Sequence, residues 1–126
     1  MLKEMTKVRQ VPGEQRRRWF SSQALDLIVW FDAAGAISGF QLCYDRLNDE
    51  KVLNWKIPDH YSHMAVDDGE GRAGRHKASP ILVPGGDFRP EVAEAFRKEA
   101  AELPFEIVNL VLAKIVAYRP PEKRRA

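Results

Sequence analysis

Only one cysteine, Cys43, stands in this chain of 126 residues. One thiol cannot close an intramolecular disulfide, so a disulfide-stapled scaffold is excluded and a reducing compartment fits. Its neighbours Phe40, Gln41, Leu42 and Tyr44 read as a strand. There a free cysteine ordinarily packs as a small hydrophobe instead of acting as a nucleophile. Long apolar runs are missing too. The longest, Ile107 to Tyr118, is interrupted by Asn109 and Lys114 and falls short of the roughly 20 residues that span a bilayer. Residues 1–10 are polar and lack the apolar stretch of a secretory leader. The expectation is a cytoplasmic protein with no membrane partner.

A large excess of one charge is also absent. The net charge is +2, but it is unevenly placed. Residues 1–18 carry six basic and two acidic side chains, residues 119–126 four and one, and residues 19–118 ten and fifteen. A mildly acidic body therefore has two short basic ends. Basic ends can touch nucleic acid or acidic partners. Nothing in the chain supplies a groove-reading element, so solubilising termini are the favoured reading and nucleic-acid binding is held only as an alternative. The cation–aromatic run Arg16-Arg17-Arg18-Trp19-Phe20 can suit single strands, but it reads better as an edge strand guarded by charge.

What is present is the material of one ordinary domain. Hydrophobic residues make up 44% and charged residues 30%, and the length suits a single core. The pattern predicts an α+β fold: an antiparallel β-meander of about five to six strands, then two C-terminal helices packed on one sheet face. Residues 1–15 read as a polar basic segment, 16–118 as the domain and 119–126 as a basic tail. Ala24 to Phe31 is the strongest strand, rich in β-branched and aromatic types. Asp32-Ala33-Ala34-Gly35 turns the chain, and Ala36 to Tyr44 returns. A three-residue loop would set Ile28 opposite Phe40, whereas a two-residue loop would set Val29 opposite Phe40 and Leu27 opposite Leu42. Lys51 to Ile57, Tyr61 to Val66 and Ser79 to Val83 complete the meander, since such short connections require antiparallel neighbours.

A helix from about Arg89 to Leu103 follows, N-capped by Asp87, with Phe88, Val92, Phe96, Ala100 and Leu103 on one stripe. Pro104 ends it, and Phe105 to Tyr118 forms a second, largely buried helix. Within 24–31, alternation puts Leu25, Leu27, Val29 and Phe31 on one face and Asp26, Ile28 and Trp30 on the other. One layer of helices covers only the first. The second face needs another cover: curvature, the N-terminal segment, a ligand or a second subunit.

Candidate chemistry converges on residues 60–78. Gly69-Glu70-Gly71-Arg72-Ala73-Gly74 matches G-x-G-x-x-G literally, but the dinucleotide fingerprint needs a helix opening there. Pro80 forbids a long one. Glycines with Arg72, Arg75 and Lys77 could still form an anion-binding nest. All three histidines, His60, His63 and His76, lie near Asp67, Asp68 and Glu70. His60 and His63 should point to opposite faces of a strand, and no metal motif is complete, so neither metal nor cofactor is expected. General acid–base chemistry would fall to His63, Asp67, Asp68 and His76. No nucleophile elbow or phosphate-binding loop is present. The leading expectation is a non-catalytic binding or protein-interaction module, with a homo-oligomer, protein or small molecule as partner. The rival is a small enzyme or a metal- or anion-binding protein using residues 60–76.

Overall fold

The computed structural model describes residues 1–46, 50–67, 81–84 and 91–119, with Val66, Asp67 and 81–84 described by backbone alone. Seven strands form one sheet in sequence order: β1 (Lys3–Glu4), β2 (Arg16–Ser21), β3 (Asp26–Phe31), β4 (Ile37–Tyr44), β5 (Lys51–Lys56), β6 (His60–Asp67) and β7 (Ile81–Pro84). Every neighbouring pair is antiparallel. Two helices follow, α1 (Glu91–Glu99) and α2 (Phe105–Ala117). This is the α+β meander that the alternating strands and the two helical stripes predict.

The β3–β4 hairpin reconciles the two registers considered for it. The Asp32 N–H donates to the Ala36 carbonyl at 2.8 Å, and the Gly35 N–H to the Asp32 carbonyl at 2.9 Å. The Asp32 carboxylate accepts from the N–H groups of Ala34 and Ala36, both at 2.9 Å. Gly35 takes a left-handed φ of 88°, which costs glycine little. This is the three-residue loop. Yet Phe31 pairs with Ile37 while Trp30 pairs with Gly39. Ser38 is therefore an extra residue, a bulge of the kind that kinks an antiparallel pair. Beyond it the register is the apolar one, with Val29 opposite Phe40 and Leu27 opposite Leu42.

Cross-strand rows define the core. Phe20, Leu27, Leu42, Leu53 and His63 stand side by side across β2 to β6, and Val29, Phe40, Trp55 and Tyr61 form the next row. Onto this face pack Val92, Phe96 and Ala100 from the first helical stripe, then Leu103, Ile107, Val111 and Ile115. Leu27, Leu42, Leu53, Phe96, Ile107 and Val111 are completely buried, each contributing roughly 1.5–3 kcal/mol of transfer free energy. Leu2 joins them, fully buried, and its N–H donates to the Glu99 carbonyl at 2.8 Å. The N-terminal segment, expected outside the domain, thus contributes both a short strand and a core side chain. The expected N-cap Asp87 and the stripe residue Phe88 lie outside the described residues.

Candidate functional site

His63 occupies the end of the apolar row, opposite Leu53, and is only 7% exposed. Its Nε2 meets the Tyr44 hydroxyl. The Tyr44 ring lies parallel to the imidazole with centroids 5.9 Å apart, and the Tyr118 ring meets it edge-on at 5.8 Å. Tyr61 packs on Tyr118 at 5.0 Å and donates its hydroxyl to the Lys114 carbonyl at 2.8 Å. Burial pushes the Tyr61 phenol above its ordinary pKa. This histidine–tyrosine cluster ties β4 and β6 to the end of α2. The imidazole is a packed core group within it, bonded to Tyr44 through Nε2.

The structure therefore separates the histidines of the expected site. His63 points into the core, and exposed His60 lies on the opposite sheet face, three residues away along β6. Asp67 closes β6, paired with Ile81. Asp68, Arg72, Arg75, His76 and Lys77 lie outside the described residues. Among the described residues no group of three metal-ligating side chains comes together.

The second sheet face carries neither helix, because the apolar stripes of both pack on the other. Its residues also fall into rows. Trp19, Ile28, Gln41, Asn54 and Ser62 form the central one, and Ser21, Asp26, Cys43, Val52 and Met64 the row beside it. Arg17, Trp30, Gly39, Lys56 and His60 form the third. Trp19, Ile28, Trp30 and Met64 are half-buried where they stand, and Lys56, His60 and Ser62 are exposed. Gly39 leaves a gap in the third row between Trp30 and Lys56. Here an open cleft of about 670 Å³ lies, lined by Gln15, Trp30, Ser38, Lys56, Ile57 and His60 and also by Phe40, Trp55 and Tyr61 of the core row, its walls mostly apolar. A larger depression of about 750 Å³ runs between Arg16, Arg18, Asp32 and Glu106. It is more polar and mixes both signs of charge. An apolar concavity with a few convergent polar groups is the better ligand site.

Among the described residues that line the cleft, Lys56 is charged and none is a carboxylate. Asp59, next to His60 in sequence, is engaged elsewhere. Its Oδ1 accepts from Trp55 Nε1 and from Lys114 Nζ, both at 3.0 Å, and these bonds hold its carboxyl below the usual range. Asp26, at the far side of the face, pairs with Arg46 at 3.5 Å. Cys43 shares the row of Asp26, and its thiol is pushed up to about 11, chiefly by burial, then by the charges of Glu50 and Asp26. A thiol so placed is a poor nucleophile.

Alternation within single strands marks Trp30 as a residue needing cover. Lys56 and Gly39 escape that reading, because only the pairing of three strands brings them beside it. No family model, curated protein or solved structure matches the chain.

Proposed function

We propose that this protein is a non-catalytic binding module that holds its ligand on the sheet face that neither α1 nor α2 covers, over Gly39. The supporting observation is the mostly apolar cleft that Gly39 opens between Trp30 and Lys56. The face is built from rigid strands whose other side is fully packed, and such a platform positions contacts better than loops do. The chemistry needed for an enzyme is weakly supported among the described residues: His63 is enclosed by Tyr44 and Tyr118, and Cys43 holds its proton.

The three tryptophans provide the test. In ¹⁵N-labelled protein, a soluble gadolinium chelate should bleach the indole signals of Trp19 and Trp30 and spare that of Trp55. Equal protection of Trp30 and Trp55 in dilute protein would mean a closed face and end this reading. Protection that appears only on concentration, with a doubled mass in light scattering, would put a second copy of the chain on the face in place of a ligand.

A further inference from the structure

Resting on that reading, we infer that the cleft over Gly39 takes a small organic acid: a single carboxylate or similar monoanion attached to a flat apolar body. The row Arg17–Trp30–Gly39–Lys56–His60 runs straight across five strands. Trp30 and Lys56 stand two strands apart, about 10 Å at ordinary strand spacing, with no side chain between them. The cleft volume of about 670 Å³ admits a flat ring system beside the indole. Offset stacking on an aromatic face is worth more than its buried area alone.

The acid end is assigned by charge. Lys56 and His60 stand directly opposite each other across β5 and β6, and both are exposed. The other polar groups among the described wall residues, Gln15, Ser38, Asn54, Tyr61 and Ser62, are neutral. Asp59 already serves Lys114 and Trp55. Arg17 does not line the cleft, and its Nε donates to the Arg9 carbonyl at 3.0 Å. One ammonium beside one imidazole balances one negative charge through a charge-assisted hydrogen bond. A dianionic phosphate would want a nest of backbone N–H groups or a guanidinium fork, neither of which faces the cleft among the described residues.

The experiment titrates 2-naphthoate, neutral 2-naphthylmethanol and acetate separately into ¹⁵N-labelled protein. The readouts are the Trp30 indole and the backbone amides of Gly39, Lys56, His60 and Ser62. The naphthoate should shift these signals together, the alcohol should bind there roughly tenfold more weakly, and acetate should have little effect, as expected if stacking and one charge-assisted bond act together. Lys56→Ala and the length-preserving Lys56→Gln should each weaken the naphthoate by a similar factor and leave the alcohol unchanged, with thermal unfolding confirming that both variants fold. Equal binding of acid and alcohol at these residues would overturn the assignment to acids and leave the face as the binding surface. If neither aromatic probe moves these signals, both the acid assignment and the cleft as a ligand site fall.

Discussion

Val29 and Phe40 stand directly opposite each other on the core face, and the bulge at Ser38 is what puts them there. The hairpin loop alone would bring Ile28 to that position. The extra residue restores agreement between the pleat of β3 and that of β4. Deleting Ser38 should therefore leave the apolar register intact: Gly39 then follows Ile37 directly, Gly39 still pairs with Trp30 and Phe40 with Val29, and only the local kink and the bond between the Ser38 hydroxyl and Gln15 are lost. Deleting Gln41, where no bulge takes up the change, should instead send Leu42 to the wrong face. Urea unfolding followed by circular dichroism would show the Ser38 deletion folded and the Gln41 deletion unfolded. Similar midpoints for the two would refute the role given to the bulge.

Gly39 has no room for a side chain on its own strand. A Cβ there would lie 2.8 Å from the Trp55 carbonyl oxygen and 3.1 Å from Lys56 Cβ. The first neighbour is backbone and cannot move cheaply. Gly39→Ala should cost about 1–3 kcal/mol, the usual penalty for overpacking, and should also intrude on the cleft. A shift of less than about 0.5 kcal/mol in urea, the ordinary range of surface changes, would show that β4 and β5 part easily here.

His63 behaves as a core residue, so its replacement should be graded by volume and not by chemistry. His63→Ala leaves a void beside Leu53, Tyr44 and Tyr118, and should cost about 2–4 kcal/mol. His63→Leu extends the row of leucines and should recover part of that loss, although the Tyr44 hydroxyl loses its partner at Nε2. Equilibrium denaturation of both variants decides the matter. Equal stability of the alanine variant and the parent would mean that the imidazole is not packed as described.

Much of this architecture is legible in the chain, and the limit is physical. Strand and helix follow from periods of 2 and 3.6, so Leu27 and Val29, or Val92, Phe96, Ala100 and Leu103, announce their buried sides. Trp30 on the second face announces a surface that the helices do not cover. The rows across the sheet are different. Trp30, Gly39, Lys56 and His60 become neighbours only when three hairpin registers are settled, and each register depends on turn and bulge geometry. Leu2 is illegible for a related reason: a lone leucine among polar residues has no period. The histidines mislead in the opposite way, since closeness in sequence brings His60 and His63 to opposite sides of β6.

Cys43 should be almost inert while the protein is folded. With its pKa pushed up to about 11, against about 8.5 for an unperturbed thiol, it is nearly all protonated at pH 8. Alkylation by iodoacetamide at that pH should run at least about tenfold slower than in urea, because the thiolate is the reacting form and its greater intrinsic nucleophilicity offsets only part of the loss. The native rate should climb with each further pH unit until the thiol titrates. A native rate close to the unfolded rate would show Cys43 to be activated, and would reopen the question of a nucleophile.

The Glu4–Arg18 pair joins β1 to β2 through two bonds, Arg18 Nε to Oε2 at 2.8 Å and Nη2 to Oε1 at 2.7 Å. The hydrogen bonds from Arg18, and then its charge, hold the Glu4 carboxyl below the ordinary glutamate value. A depressed folded pKa means that the unfolded chain binds the proton more readily. Stability from this pair is thus complete above the unfolded glutamate pKa and is lost as pH falls through the lowered folded value. Glu4 is partly exposed, so the contribution should be no more than about 1 kcal/mol. Glu4→Gln should therefore lower the urea midpoint slightly at pH 7, and the gap from the parent should narrow steadily between about pH 5 and pH 3, the range in which such a carboxylate titrates. Added salt at pH 7 should narrow it too, since exposed charges are screened. A gap that persists undiminished at pH 3 would assign the effect of the substitution to packing of β1 against β2, and remove the ion pair from the account of how the N-terminal strand is held.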